Sequence, residues 1–472
     1  MSSDPHTVSL KLAEEDVPLY GAQLDAIHGL FAKEAGAPDR VATQNLRAWA
    51  RSHRQQKDID KVIKLAERAR RKFKVLVTIG IGGSDLSARV FHDALNHPYH
   101  NLRSTQERGG APEVYFTGDS FDPFRLHGLL SMLESRGLLR KTLFNVISKS
   151  GKTGETIAAL MVVRERLRTA LGPGAPAEAW RDQVLATTGL NAGSKLYEMH
   201  QASPFFGNTL LPVHDGVGGR FSAFSPVGLF FLAATAGPGE SPASRVERAL
   251  AGVSEAERRF LLPATDGSNL AYRLAAWLHK SESRSRLGTI VFYNYADNRC
   301  LGDWFVQLYE ESVQERDAGL NVIAAKGPTS NHSILNGILR GPRDKVILFL
   351  QWLNLGDDLT IPTGTGIGGE LEDFEGLKLS EVQTASLLGT TEDLNEKGVP
   401  NSTLVLPSRD AYNLCLAMRV LMDTVAVKGR LQMLHIDDSG ALDLPQEATY
   451  LQEGVEGYKI KTRAQAKRLR KG

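Results

Sequence analysis

Short apolar runs alternate along this chain with longer stretches of helical periodicity. Phe73-Lys74-Val75-Leu76-Val77-Thr78-Ile79 is apolar and ends at Gly80-Ile81-Gly82-Gly83-Ser84, after which helical spacing resumes at Leu86, Val90, Phe91 and Leu95. Further short strands are expected at 114–116, 143–147 and 183–187, with helix-length stretches between them. Apolar runs of strand length set between helices predict βαβ units and a parallel sheet covered on both faces. The rhythm restarts beyond Ala236-Gly237-Pro238-Gly239-Glu240-Ser241-Pro242, with strands expected at 287–293, 321–325 and 345–351 and an amphipathic helix over Cys300–Val313. Residues 1 to about 70 read as mainly helical. The expected division is a helical segment 1–72, an α/β domain 73–240, a second 255–440 and a C-terminal segment 441–472.

A chain of 472 residues has room for about two to three domains with sizeable cores. Its net charge of +2 supplies no global field for recruiting nucleic acid. Cys300 and Cys415 are its only cysteines, too few for a disulfide framework and without metal-ligand spacing, which points to a reducing compartment. No apolar run reaches the ~18 residues of a membrane span. The N-terminus lacks a basic region followed by an apolar core, so no signal peptide is expected. These features suit a cytoplasmic α/β protein. The stretch from Lys459 to Gly472 carries seven Lys or Arg in fourteen residues; it reads as an exposed helix or tail, with RNA or an acidic partner as the alternative.

The chemistry concentrates in a few junctions. Asn145-Val146-Ile147-Ser148-Lys149-Ser150-Gly151-Lys152-Thr153-Gly154-Glu155-Thr156-Ile157 passes from an apolar strand through a cluster of hydroxyls into a helical pattern. Free N–H groups and the positive dipole end at such a turn favour an anion, and phosphate fits. Gly80-Ile81-Gly82 starts like a dinucleotide fingerprint, but Asp85 stands where the third glycine belongs, so a tight turn over a smaller ligand suits Gly82, Gly83 and Ser84 better. Arg220, in Gly218-Gly219-Arg220-Phe221-Ser222, follows a glycine run and could meet developing oxyanion charge or cap a loop. Gln307 and Glu311 share a helix face at i, i+4. His332 begins a helix after a strand, and Gln452-Glu453-Gly454-Val455-Glu456-Gly457-Tyr458-Lys459 is by itself an ordinary polar turn.

Taken in order, these segments resemble the phosphoglucose isomerase family. The glycine turn 80–86, the loop Ser148 to Thr156, the Gly-Gly-Arg-Phe-Ser run, Gln307-x-x-x-Glu311-Ser312, Asn331-His332 and Gln452-x-Gly454-Val455-Glu456-x-x-Lys459 each look like a family motif. The resemblance runs from about residue 75 to 460. It implies two SIS-type doubly wound parallel-sheet domains with helical extensions, no metal or other cofactor, and a homodimer. It also implies interconversion of glucose 6-phosphate and fructose 6-phosphate, in glycolysis and gluconeogenesis, through ring opening and a cis-enediol. By that resemblance the phosphate rests on Ser148, Lys149, Ser150, Gly151, Lys152 and Thr153, with Gly83 and Ser84 lining the sugar. Glu311 is the base, Arg220 stabilises the enediolate, and Gln307 and Gln452 help hold substrate. His332, donated by the partner subunit, opens the ring with Lys459. Two positions depart from the family pattern: Lys152 replaces a Thr or other small polar residue, and Leu451 replaces an Asp. The alternatives are dual activity on mannose 6-phosphate and a non-catalytic sugar-phosphate sensor.

Overall fold

The computed structural model describes residues 7–12, 15–36, 47–314, 317–367, 369–433, 435–436, 442–443, 448–450 and 453–470. Its principal strands are β1 Ser9–Leu12, β2 Val75–Ile79, β3 Glu113–Thr117, β4 Thr142–Ile147, β5 Val184–Thr188, β6 Leu211–Pro212, β7 Thr289–Tyr295, β8 Asn321–Lys326, β9 Lys345–Asn354 and β10 Asn401–Ser408. Among the described residues, β3-β2-β4-β5-β6 form one sheet, all parallel. Every residue of β2, β4 and β5 is buried, because helices cover both faces. The two-residue alternation of a strand makes this visible in β2. Leu76 packs on one side with Val62, Phe91 and Phe230, whereas Val75, Val77 and Ile79 pack on the other with Leu133, Leu160 and Val163.

The second sheet runs β1-β10-β9-β7-β8. β7 to β10 are parallel, but β1 adds an antiparallel edge, pairing Ser9 with Val405 and Leu12 with Ser402. The described part of residues 1–70 is mainly helical, as read, but this edge strand was not anticipated. Four residues are too short for periodicity to register, yet Leu10 is buried and Lys11 exposed, as a half-covered edge strand requires. Elsewhere the Cys300–Val313 helix falls where expected, and β7 lies two residues later than its sequence-based range.

One apolar cluster runs through both halves, from Phe91 and Phe230 to Phe292 and Met418. At its centre lies the helix Ala411–Met433, buried on almost every side and packed on Pro242–Phe260 and Leu270–Ser283. The charges it buries are paired: Arg419 Nε donates to Asp423 at 2.8 Å and Lys428 to Glu282 at 2.5 Å. The helix before β2 is tied in through a cation as well. Arg70, on the helix Gln56–Lys72, donates to the carbonyls of Ala234, Ala236 and Gly109. No helix among the described residues is long and apolar enough to cross a membrane.

In the first sheet the strand order reverses between β2 and β4, since β3 lies on one side of β2 and β4 on the other. The carboxyl ends of strands at such a reversal leave a crevice. Here those ends are the turns at Gly80–Ser84 and Ser148–Thr153, so topology alone brings the two glycine- and hydroxyl-rich segments together.

Glu257 ties the Ala48–Arg54 turn to this core. It accepts from His53 at 3.2 Å and from Arg54 Nε at 3.1 Å, with Arg419 Nη2 at 3.9 Å. Burial alone would raise its pKa, but the bond from His53 and the charge of Arg419 outweigh that and hold it at about 2, below the ordinary 4.5. The folded state therefore binds this proton less tightly than the unfolded chain. The stabilisation is complete above pH 4.5 and is lost as pH falls towards 2. Thermal melts over that range should show Glu257→Gln with a shallower acid slope than the wild type; parallel slopes would contradict the assignment.

Candidate active site

Three segments meet over the crevice, and glycine makes the approach possible. A Cβ on Gly83 would lie 2.0 Å from the carbonyl carbon of Gly219, so the first glycine turn and the loop carrying Arg220 touch backbone to backbone. Ser222 Oγ locks that contact by donating to Gly83 C=O at 3.1 Å. Gly82 has φ +59°, and a Cβ there would stand 2.5 Å from Gln307 Nε2 of the second half. Both halves are thereby pressed against one turn.

The hydroxyl loop is held from beneath. Ser148 is buried, and its Oγ lies 2.8 Å from Thr153 Oγ1. Thr153 is the N-cap of the helix Gly154–Leu171, but with its hydroxyl engaged by Ser148 it does not cap the first amides. Those N–H groups and the positive dipole end remain for an external anion. Gly151, at φ +61°, packs on the backbone of Lys195 and Leu196. Lys149 Nζ donates to Val217 C=O at 3.2 Å, and burial lowers its pKa, with Asp215 opposing the shift.

Opposite the loop sits Arg220, only 1% exposed. Its Nε donates to Ser312 Oγ at 2.7 Å, Nη2 to Thr449 C=O at 2.7 Å and Nη1 to Glu311 Oε2 at 3.3 Å. Burial lowers its pKa and Glu311 opposes the shift, but a guanidinium stays protonated. Glu311 also accepts from Gln307 Nε2 at 3.2 Å, as their shared helix face predicts. Gln307 Oε1 is buried without a partner among the described residues, while the residue itself lines the crevice.

Together these groups line a cavity of about 660 Å³, within the range of small-molecule sites. Of the expected residues, the first half supplies Gly83, Ser84, Lys149, Ser150, Thr153 and Arg220, the second half Gln307 and Glu311, and the C-terminal segment Lys459. Lys459 arrives on the C-terminal helix Glu456–Leu469, where its ammonium donates to Glu456 at 2.6 Å. Ser148 and Gly151 lie beneath the wall rather than on it. Lys152 is exposed, its N–H bound to Ser150 Oγ and its carbonyl to Arg463. His332 is exposed and does not line this cavity. The residue before it, Asn331, is pinned by Tyr293, Tyr295 and Thr390, so the imidazole stands on a braced turn. Leu451 and Gln452 lie outside the described residues.

Five polar side chains of the wall were not assigned to the site from sequence: Glu155, Asn191, Ser194, Tyr450 and Tyr458. Asn191 and Ser194 follow β5, where the strand-end rule would have found them. Tyr450 carries no local signal, since packing against Phe221 and Trp49 brings it in.

Fold and site define a class: a two-sheet α/β protein whose cavity joins an uncapped strand-to-helix turn to a carboxylate beside a buried arginine. The phosphoglucose isomerase family description matches residues 47–271. Glucose-6-phosphate isomerase of Rubrobacter xylanophilus is 33% identical over 95% of this chain and 98% of its own. The enzyme of the same name from Carboxydothermus hydrogenoformans is 30% identical over 86% of this chain and 84% of its own. Among solved structures, a hypothetical protein from Thermus thermophilus superposes with a TM-score of 0.77 at 27% identity, covering 98% of this chain and 100% of that one. A glucose-6-phosphate isomerase from Chlamydia trachomatis gives 0.64 at 20% identity over 87% and 74% of the two chains, a likeness of fold. The chain belongs to the phosphoglucose isomerase family.

The loop geometry separates its two lysines. Lys149→Ala should weaken binding of inorganic phosphate about tenfold, the worth of one charged hydrogen bond, whereas Lys152→Ala should change it less than about twofold. Calorimetric titration checks the pair, and equal losses would contradict the assigned loop geometry.

Proposed function

We propose that this chain interconverts glucose 6-phosphate and fructose 6-phosphate by proton transfer through a cis-enediol. The observation that carries the reading is the common cavity: Glu311 of the second half and Lys459 of the C-terminal helix face the hydroxyl loop of the first half. The phosphate sits on Lys149, Ser150, Thr153 and the amides of the Gly154–Leu171 helix, with Ser148 and Gly151 shaping the loop beneath. Being remote from the reacting carbons, it contributes binding energy that holds C1 and C2 in place.

Ring opening breaks the C1–O5 bond, with a proton leaving the C1 hydroxyl and another reaching O5. Lys459 and His332 share this transfer, His332 reaching in from a second copy of the chain in a homodimer. Glu311 then takes the proton from C2 and delivers it to C1. One carboxylate that reaches both carbons suffices, because they are adjacent and the proton need not pass through water. Charge gathers on oxygen in the intermediate, where the fixed guanidinium of Arg220 counters it without reorganising. Gln307 and Gln452 hold hydroxyls. This is an activity of glycolysis and gluconeogenesis, carried out in the cytoplasm. The relatives are named for a single activity, so dual use of mannose 6-phosphate and a non-catalytic sensor are set aside.

Glu311→Gln is expected to lower kcat by about 10²- to 10⁴-fold with KM nearly unchanged, in an assay coupling fructose 6-phosphate formation to a reporter enzyme. Near-normal turnover would refute the base. The shared site has its own test. Glu311→Gln and His332→Ala proteins, each inactive, should regain roughly a quarter of wild-type activity when unfolded and refolded together, since half the dimers would hold one intact site. No recovery would show that His332 does not act across an interface.

A further inference from the structure

One of the partners that hold Arg220 is a backbone carbonyl outside every motif named above. Nη2 donates to Thr449 C=O, and Thr449 is fully buried in the short turn Ala448–Tyr450. A carbonyl goes where its chain is packed, so the depth at which this turn docks decides where the guanidinium points. The turn docks on Gly429, inside the helix Ala411–Met433. A Cβ added there would lie 2.3 Å from Thr449 Oγ1, 3.0 Å from Cγ2 and 3.2 Å from Cβ. Gly429 has no positive φ, so its backbone conformation does not call for glycine, and glycine is a poor residue for a helix interior. Thr449 Oγ1 has no hydrogen-bond partner among the described residues, which leaves the side chain a steric role. From the other side Tyr450 closes the grip: its ring packs 5.3 Å from that of Phe221, and Arg47 Nη1 donates to its hydroxyl at 3.2 Å.

We propose that Gly429 and Thr449 are positioning residues for the isomerisation, the absent side chain at Gly429 setting the depth of the Thr449 turn and thereby aiming Arg220 at the substrate oxygens. The inference rests on the role given to Arg220 under the proposed function. Crowding this contact displaces a charge that matters when the intermediate forms, and leaves the phosphate seat, which anchors the ground state, untouched.

Gly429→Ala should therefore lower kcat about 10- to 100-fold with KM held within about threefold. Adding Thr449→Ala, which removes the crowded atoms and keeps the carbonyl, should raise kcat of the Gly429→Ala protein at least about fivefold. Thr449→Ile crowds the same contact from the opposite side and should also lower kcat selectively; it carries the test if Gly429→Ala does not fold. Unchanged kcat in a folded crowded variant, a loss that appears in KM instead, or no rescue by Thr449→Ala would each overturn the proposal. A wild-type protein without turnover would reject the functional reading itself, which is a separate outcome from crowded variants that keep wild-type turnover.

Discussion

A guanidinium almost wholly removed from water is the constraint on which this structure turns. Stripping a full charge of its hydration costs several kcal/mol unless its donors are satisfied and a counter-charge stands close. Arg220 meets both conditions, but with partners that no single part of the chain could supply. Ser312 and Glu311 come from a helix of the second half, and Thr449 from the C-terminal region. The arginine itself sits in a loop pressed against the first glycine turn. Burying this one cation thus requires that the halves assemble, and their assembly is what forms the cavity.

That requirement explains where the reactive groups lie. The first sheet offers an anion seat at its reversal of strand order, a consequence of topology and helix termini. Among the described residues lining the cavity, the carboxylate it offers is Glu155, on the seat's own helix rather than opposite it. The helix Cys300–Val313 brings Gln307 and Glu311 on one face, and Ser312 on the next position turns towards Arg220. In the proposed reaction the two sides do different work. The seat spends phosphate binding energy on placing the sugar, while the arginine and the carboxylate act at the carbons and oxygens that change.

Much of this was readable before any coordinates. The apolar run before Gly80, the hydroxyl cluster after Ile147 and the Gln307–Glu311 spacing follow from local periodicity, and each appears where expected. What escaped reading depends on distant partners. β1 exists because β10 offers an edge to pair with. The helix Ala411–Met433 is buried all round, its charges neutralised by Asp423 and Glu282, so no apolar stripe marks it. Tyr450 and Thr449 reach the site through packing on Phe221 and Gly429, the first of these contacts joining segments hundreds of positions apart in the chain. Motif resemblance found the groups that face the ligand; it could not find those that hold such groups in place.

The most direct measurement follows the hydrogen itself. Glucose 6-phosphate carrying deuterium at C2 is converted, and fructose 6-phosphate is examined by NMR. With Glu311 as the one shared base, deuterium should appear at a single prochiral position of C1, in less than full amount, the remainder replaced by solvent hydrogen. Label on both faces of C1 would contradict a single carboxylate carrying the proton between the two carbons.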